Sequence, residues 1–304
     1  MHKSNKKKYL LVIFLLLINL ILIFNSVRSI KIGHQTNSTD MNKNAIVTNI
    51  WLNDVSKLDK FKQNNIKYLI IDIGDTSLNG QIITPKKEIV DFINFINKYE
   101  KKSGYDFNLL PYSEIILDKY NLEAYDFQKN LIEDYIYLNK IGYDGILIDI
   151  EKIPLNQREE YLNFLKEMKK SLPPKSIVSV YSGQLSDSPN EWEWSPKFMK
   201  EVSDNVDIIS FGAYDTGLET NEGYISYIED QIIKINLLNP NAKFLFGLPT
   251  HKNSPETIEN AIRAFNESLS SAENNFIGLT IFAEWTADDS EWEVFEEYIE
   301  HVKI

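Results

Sequence analysis

The chain has 304 residues, 35.3 kDa and 43% hydrophobic side chains, enough to bury one large core or two ordinary ones, so disorder throughout is excluded. Its 32 Lys plus Arg face 44 Asp plus Glu, and a net charge of −12 argues against a nucleic-acid partner, which would need a broad basic surface. The absence of cysteine excludes disulfides, thiolate metal sites, a cysteine nucleophile and a lipid-attachment site.

The N-terminus carries Lys3, Lys6, Lys7 and Lys8, then runs apolar from Leu10 to Phe24 with only Asn19 interrupting, and has no acidic residue before Asp40. That pattern reads as an export signal over 1–29, because the basic segment is held on the cytoplasmic side while the chain beyond it is delivered outside. A poor cleavage site near Ser29, and an apolar run that extends through Val27 and Ile30, favour a retained signal anchor over a cleaved peptide. The expected location is therefore the extracellular face of the membrane or the medium. Residues 30–43 are polar and read as a spacer.

Beyond the spacer, β-branched runs at 45–51, 67–73, 106–112, 144–150, 176–182, 206–213, 242–248 and 276–283 alternate with amphipathic stretches around 89–96 and over 125–140, 156–171, 221–237, 255–270 and 289–302. Strand and helix in alternation imply a parallel sheet, since consecutive parallel strands need a crossover. Eight such units predict a single (β/α)8 barrel over 44–304, preceded by the hydrophobic segment. The rival, an open doubly wound sheet, lacks the Gly-rich phosphate loop that would follow an early strand. In a barrel, the chemistry belongs at the C-terminal ends of the strands.

The most informative stretch is Gly142-Tyr143-Asp144-Gly145-Ile146-Leu147-Ile148-Asp149-Ile150-Glu151. Side chains alternate along a strand, so Leu147, Asp149 and Glu151 share a face, with the two acids about 6.6 Å apart at Cα. Repulsion and partial burial favour keeping a proton on such a pair, which makes one carboxyl available as an acid near neutral pH. A solvated acidic loop at a strand end is the bland alternative.

Here the chain resembles the family 18 glycoside hydrolases, whose fourth barrel strand carries D-G-x-D-x-D-x-E. The sequence supplies Asp144, Gly145, Asp149 and Glu151, with Leu147 at the place of the second Asp. The stretch Asp207-Ile208-Ile209-Ser210-Phe211-Gly212-Ala213-Tyr214-Asp215 is similar to the sixth strand, with Gly212 for the usual Met. Phe246-Gly247-Leu248-Pro249 resembles the seventh strand, and Gly278-Leu279-Thr280-Ile281-Phe282-Ala283 the last, with Phe282 for the usual Trp. The third-strand S-x-G-G is replaced by Leu110-Pro111-Tyr112-Ser113-Glu114.

The resemblance implies a retaining glycosidase acting on β-linked N-acetylglucosamine in peptidoglycan or a chitin-like glycan. Glu151 would protonate the glycosidic oxygen, while an ionised Asp149 would stabilise the cation formed when the substrate's own acetamido oxygen attacks the anomeric carbon. Tyr214 would donate to that oxygen, and Asp215 would hold a sugar hydroxyl or the acetamide. Asp144, Trp285, Phe282, Tyr181, Tyr112 and Trp51 complete the expected substrate-binding set, aromatic faces stacking on sugar C–H surfaces. Trp285 would supply the indole that Phe282 lacks. Trp192 and Trp194 could extend the cleft, and His251 lies near enough in sequence to reach it. No cofactor is implied, no metal-binding motif is present, and a monomer is expected.

Two rivals remain open. One is a catalytically silent glycan-binding or scaffold protein on the same barrel, favoured by Leu147 and the missing S-x-G-G. The other is a glycosidase with a carboxylate nucleophile, with Glu284 or Asp215 as candidates.

Overall fold

The computed structural model describes residues 43–302 apart from 118, 252–253 and 269–274. The export signal over 1–29 and nearly all of the 30–43 spacer lie outside the described residues. Among the described residues no helix is long and apolar enough to cross a membrane.

All eight expected strands form. They are β1 (Asn44–Asn49), β2 (Ile66–Asp72), β3 (Asn108–Tyr112), β5 (Gly145–Glu151), β6 (Ile177–Ser182), β7 (Ile208–Gly212), β8 (Lys243–Pro249) and β9 (Phe276–Phe282), with a short extra strand β4 (Glu114–Ile116). Every pairing is parallel, in the order β3-β2-β1-β9-β8-β7-β6-β5-β4. The crossovers are α1 (Val55–Gln63), α2 (Lys86–Ser103), α3 (Tyr125–Ile141), α4 (Arg158–Ser171), α5 (Pro196–Ser203), α6 (Asn221–Leu237), α7 (Ile258–Ser268) and α8 (Asp289–Val302). This is the expected (β/α)8 barrel. The sequence pattern passed over α1 and α5 because helices of 9 and 8 residues leave little periodicity to read.

The ninth strand arises because the third is interrupted at Ser113. Up to Tyr112 the chain pairs with β2, and from Glu114 it pairs with β5. Ser113 is buried, its hydroxyl 2.7 Å from that of Thr76. At the base of the same seam the Asp144 N–H donates to the Leu109 carbonyl at 3.1 Å. The two half-strands thereby bring the sheet round to β5.

Two apolar layers result. Between strands and helices lie residues such as Ile46, Leu69, Ile146, Ile148 and Phe246. Inside the barrel lie Val47, Ile70, Leu110, Leu147, Ile208 and Leu245. Strands buried on both faces explain the near-continuous apolar runs in the sequence. Helix ends follow local rules: Asp54 caps α1 by accepting from the Ser56 N–H at 2.8 Å, and Ser195 and Thr220 cap α5 and α6 in the same way.

Candidate active site

A cleft of about 700 Å³ opens at the C-terminal ends of the strands. Asp149 and Glu151 both line it, as the alternation of β5 requires, and so do Tyr112, Tyr181, Tyr214, Asp215, Phe282 and Trp51. Eight of the ten expected site residues therefore converge.

Asp149 is 7% exposed, and its Oδ1 is buried with no hydrogen-bond partner. Below it on the same face, Leu147 is fully buried in the barrel interior, so nothing polar there takes up the carboxyl. Burial first, then the nearby charges of Glu151, Glu114 and Asp72, push the Asp149 carboxyl well above the usual carboxylate range. Burial and the neighbouring acids thus favour the protonated carboxyl at Asp149 in the free protein, and Leu147 leaves no polar group beneath it to oppose this. Glu151 is half-buried, and desolvation followed by the charges of Glu114 and Asp215 raises it too. Two neighbouring acids whose carboxyls are both raised are the condition that favours general-acid chemistry.

Tyr214 sits in the barrel mouth with its ring stacked on Phe282, centroids 4.7 Å apart and planes 17° apart. Its place is made by Gly212 and Gly247, paired across β7 and β8: a Cβ on Gly212 would come within 2.6 Å of Tyr214 Cζ, and one on Gly247 within 3.2 Å of Cε1. Burial, then the charges of Asp149, Glu151 and Asp215, keep its hydroxyl protonated and a donor. Tyr181 packs edge-on against both Tyr112 (6.2 Å) and Phe282 (6.4 Å), and its hydroxyl lies against that of Tyr214. Phe282 thus supports Tyr214.

Asp215 is exposed and holds a left-handed backbone at φ 58°, which a side-chain clamp stabilises. Glu256, buried on the loop after β8, accepts from the N–H of Asp215 at 2.8 Å, the N–H of Thr216 at 2.7 Å and the Thr216 hydroxyl at 2.6 Å. Burial alone would raise the Glu256 carboxyl, but bonds from Thr216, Asp215 and His251 overcome it and hold the group below its usual value. His251 lies 3.4 Å from Glu256 and packs edge-on against Tyr214 at 6.3 Å. It reaches the site as part of this clamp.

Two expected residues lie elsewhere. Asp144 sits at the opening of β5, the opposite end of the strand from Glu151, and its carboxylate accepts from the Leu109 N–H at 2.8 Å. It is a clamp at the barrel base rather than a sugar ligand. Trp285 is 48% exposed and outside the cleft lining, because the turn after β9 carries it past the mouth while the Glu284 N–H bonds to the Val47 carbonyl at 2.8 Å. Glu284 is buried and salt-bridged to Lys57, so it is no nucleophile for this cleft. Trp194 is 3% exposed and packs against Tyr161 and Phe198, whereas Trp192 is open to solvent with Lys152 6.0 Å from its ring centre, beside a small annex that Glu151 also lines.

The cleft also holds acids that the sequence reading passed over. Asp72 closes β2 on the same face as Tyr68 and Ile70, and its carboxylate accepts from the Gly74 N–H at 2.8 Å. Desolvation outweighs that bond and raises it. Asp75 and Glu114 are exposed on the same wall. The alternation argument used for Asp149 would have found Asp72. Glu114 depends on the break at Ser113 and had no such signal. Among the described residues no group of three or more His, Asp or Glu is arranged to hold a metal ion.

The sequence matches no family model and no curated protein. The fold, in contrast, is shared with solved structures: the spore cortex-lytic enzyme SleL of Bacillus cereus (TM-score 0.58, 14% identity, 84% of this chain and 74% of that one); a class V chitinase of Pseudomonas fluorescens (0.58, 14%, 84% and 98%); and a chitinase of Chromobacterium violaceum (0.57, 12%, 84% and 98%). At these identities the likeness is one of fold: this chain has the barrel of chitinases and cortex-lytic enzymes.

Proposed function

We propose that the protein is a divergent glycoside hydrolase of the chitinase-like kind, cleaving β-linked N-acetylglucosamine in peptidoglycan or a chitin-like glycan with retention. The observation that carries this reading is the convergence of Asp149, Glu151, Tyr214 and Asp215 on one cleft at the mouth of the barrel. Glu151 is the general acid: burial and the neighbouring acids raise its carboxyl, which favours the protonated form, and the glycosidic oxygen receives that proton as the bond to the anomeric carbon breaks. The Tyr214 hydroxyl donates to the acetamido oxygen and turns it towards that carbon. Asp149 reacts as the carboxylate, its proton having passed to solvent water; it accepts a hydrogen bond from the acetamido N–H and stabilises the positive charge on the cyclised acetamido group. Water reopens the ring while Glu151, now a base, recovers a proton.

Hydrolysis of N-acetylglucosamine oligomers beside matched glucose oligomers tests the proposal, using wild type, Glu151→Gln and Asp149→Asn. Only acetamido sugars should react, and both substitutions should suppress the rate. Binding of the oligomers without turnover, indifferent to Glu151→Gln, would support the silent glycan-binding alternative instead. The basic start and apolar run of residues 1–29 support export, with the barrel held at the outer face of the membrane or released.

A further inference from the structure

The cleft is lined by six carboxyl groups, Asp72, Asp75, Glu114, Asp149, Glu151 and Asp215, and among the described residues no Lys, Arg or His lines it. Three of these, Asp72, Asp75 and Glu114, stand on the β2 and β4 side and have no step in the chemistry above. None of the three is in an ion pair among the described residues, whereas Glu284, just outside, is neutralised by Lys57. Leaving several acids unpaired on one wall raises the free energy of the empty cleft, and a cation of the ligand relieves it.

Further features mark this wall as a place where a ligand sits. Tyr112, 7% exposed, faces the cleft beside Asp72, Glu114 and Asp149. Asp149 lines the same space, and its buried Oδ1 has no hydrogen-bond partner. At the rim the Trp51 ring is 58% exposed, its indole N–H anchored to Glu88 Oε2 at 3.2 Å, which leaves the ring a fixed platform for a sugar face. The wall therefore has polar groups, carboxylates and a stacking surface at the scale of a sugar unit.

Resting on the reading of the site as an acetamido-sugar hydrolase, we propose that the protein acts on a partially N-deacetylated glycan. An N-acetylglucosamine occupies the reacting position, and a glucosamine bearing a free ammonium group lies against Asp72, Asp75 and Glu114. Of the two glycans proposed above, the same wall favours the chitin-like one over peptidoglycan strands whose muramic acid carboxylates are free, since each would add repulsion in a confined space.

The test uses defined oligomers of equal length: fully acetylated, acetylated with glucosamine beside the cleaved unit, and N-acetylglucosamine alternating with N-acetylmuramic acid. The expected result is a kcat/KM roughly fivefold higher for the glucosamine-containing oligomer than for the fully acetylated one, the scale of a partly exposed ion pair. The muramic-acid oligomer should be the slowest. The advantage should shrink towards unity at 1 M salt, a reading that needs no variant. In Asp75→Asn combined with Glu114→Gln, the ratio between the two substrates should also fall towards unity. Mass spectrometry of the products should place glucosamine next to a newly formed reducing-end N-acetylglucosamine. Equal rates on the first two oligomers, or a salt-independent preference, would overturn the assignment while leaving the hydrolase standing. Failure to cleave any acetylated oligomer would overturn the hydrolase itself.

Discussion

The ring of Tyr214 occupies the volume that a side chain on Gly212 would need: a Cβ there would stand 2.6 Å from Tyr214 Cζ. The sixth-strand motif of the resembled family carries Met at this position, and here the tyrosine two residues on folds back into that space. The atom that would be struck is the far end of a side chain, so the fold can yield where the site cannot. Gly212→Ala should keep the melting temperature within a few degrees of wild type, yet lower kcat/KM on acetamido sugars by roughly tenfold or more through displacement of the tyrosine hydroxyl. Activity and thermal melts on the same preparation check this.

Asp149 predicts a trade between stability and activity. Below about pH 4 the carboxyl is protonated whether the chain is folded or not. Above that the unfolded chain releases the proton while the buried group keeps it, so the folded state loses stability as pH rises towards the raised folded value. Asp149→Asn removes this liability: the variant should melt higher than wild type at pH 7, and the gap should narrow towards pH 4. Its kcat should fall on the order of 100-fold. Melting curves across the pH range decide it, and a wild-type advantage at pH 7 would refute the raised carboxyl of Asp149.

Glu256 predicts a positioning effect. It accepts three bonds from Asp215 and Thr216, and the carboxamide of a glutamine offers one acceptor atom where two are used. Glu256→Gln should cost about 1–3 kcal/mol of stability and raise KM more than it lowers kcat, because the loop that presents Asp215 loosens while Glu151 stays in place. Denaturant melts with steady-state kinetics separate the two effects.

Asp144 serves as the counter-case. It bonds to the Leu109 N–H at the base of the barrel, so Asp144→Ala should destabilise by about 1–3 kcal/mol and leave the kcat of the folded fraction near wild type. A hundredfold loss of kcat in well-folded protein would restore it to the substrate side.

The strand register was legible because parallel strands buried on both faces advertise themselves as apolar runs, and Asp149 and Glu151 stood out because acids in such a run are costly. Their common face followed from alternation alone. Less legible was everything set by non-local contacts. Asp144 reads like Asp149 in the sequence, and only the position of the strand's ends separates a base clamp from a cleft acid. Trp285 was displaced by a turn whose geometry depends on β1. Glu114 reached the cleft through a break in strand pairing that no periodicity announces, and Glu256 acts from a loop on the far side of Asp215, 41 residues along the chain.

The interruption at Ser113 makes one short stretch answer to two masters. Glu114 through Ile116 completes the circuit of strands and, in the same turn of chain, presents an acid to whatever enters the mouth. Change in what the protein accepts at that wall cannot be tuned at Glu114 without also touching the joint that keeps the cylinder shut, and Asp75, next to the Thr76 that bonds to Ser113, is tied to the same joint.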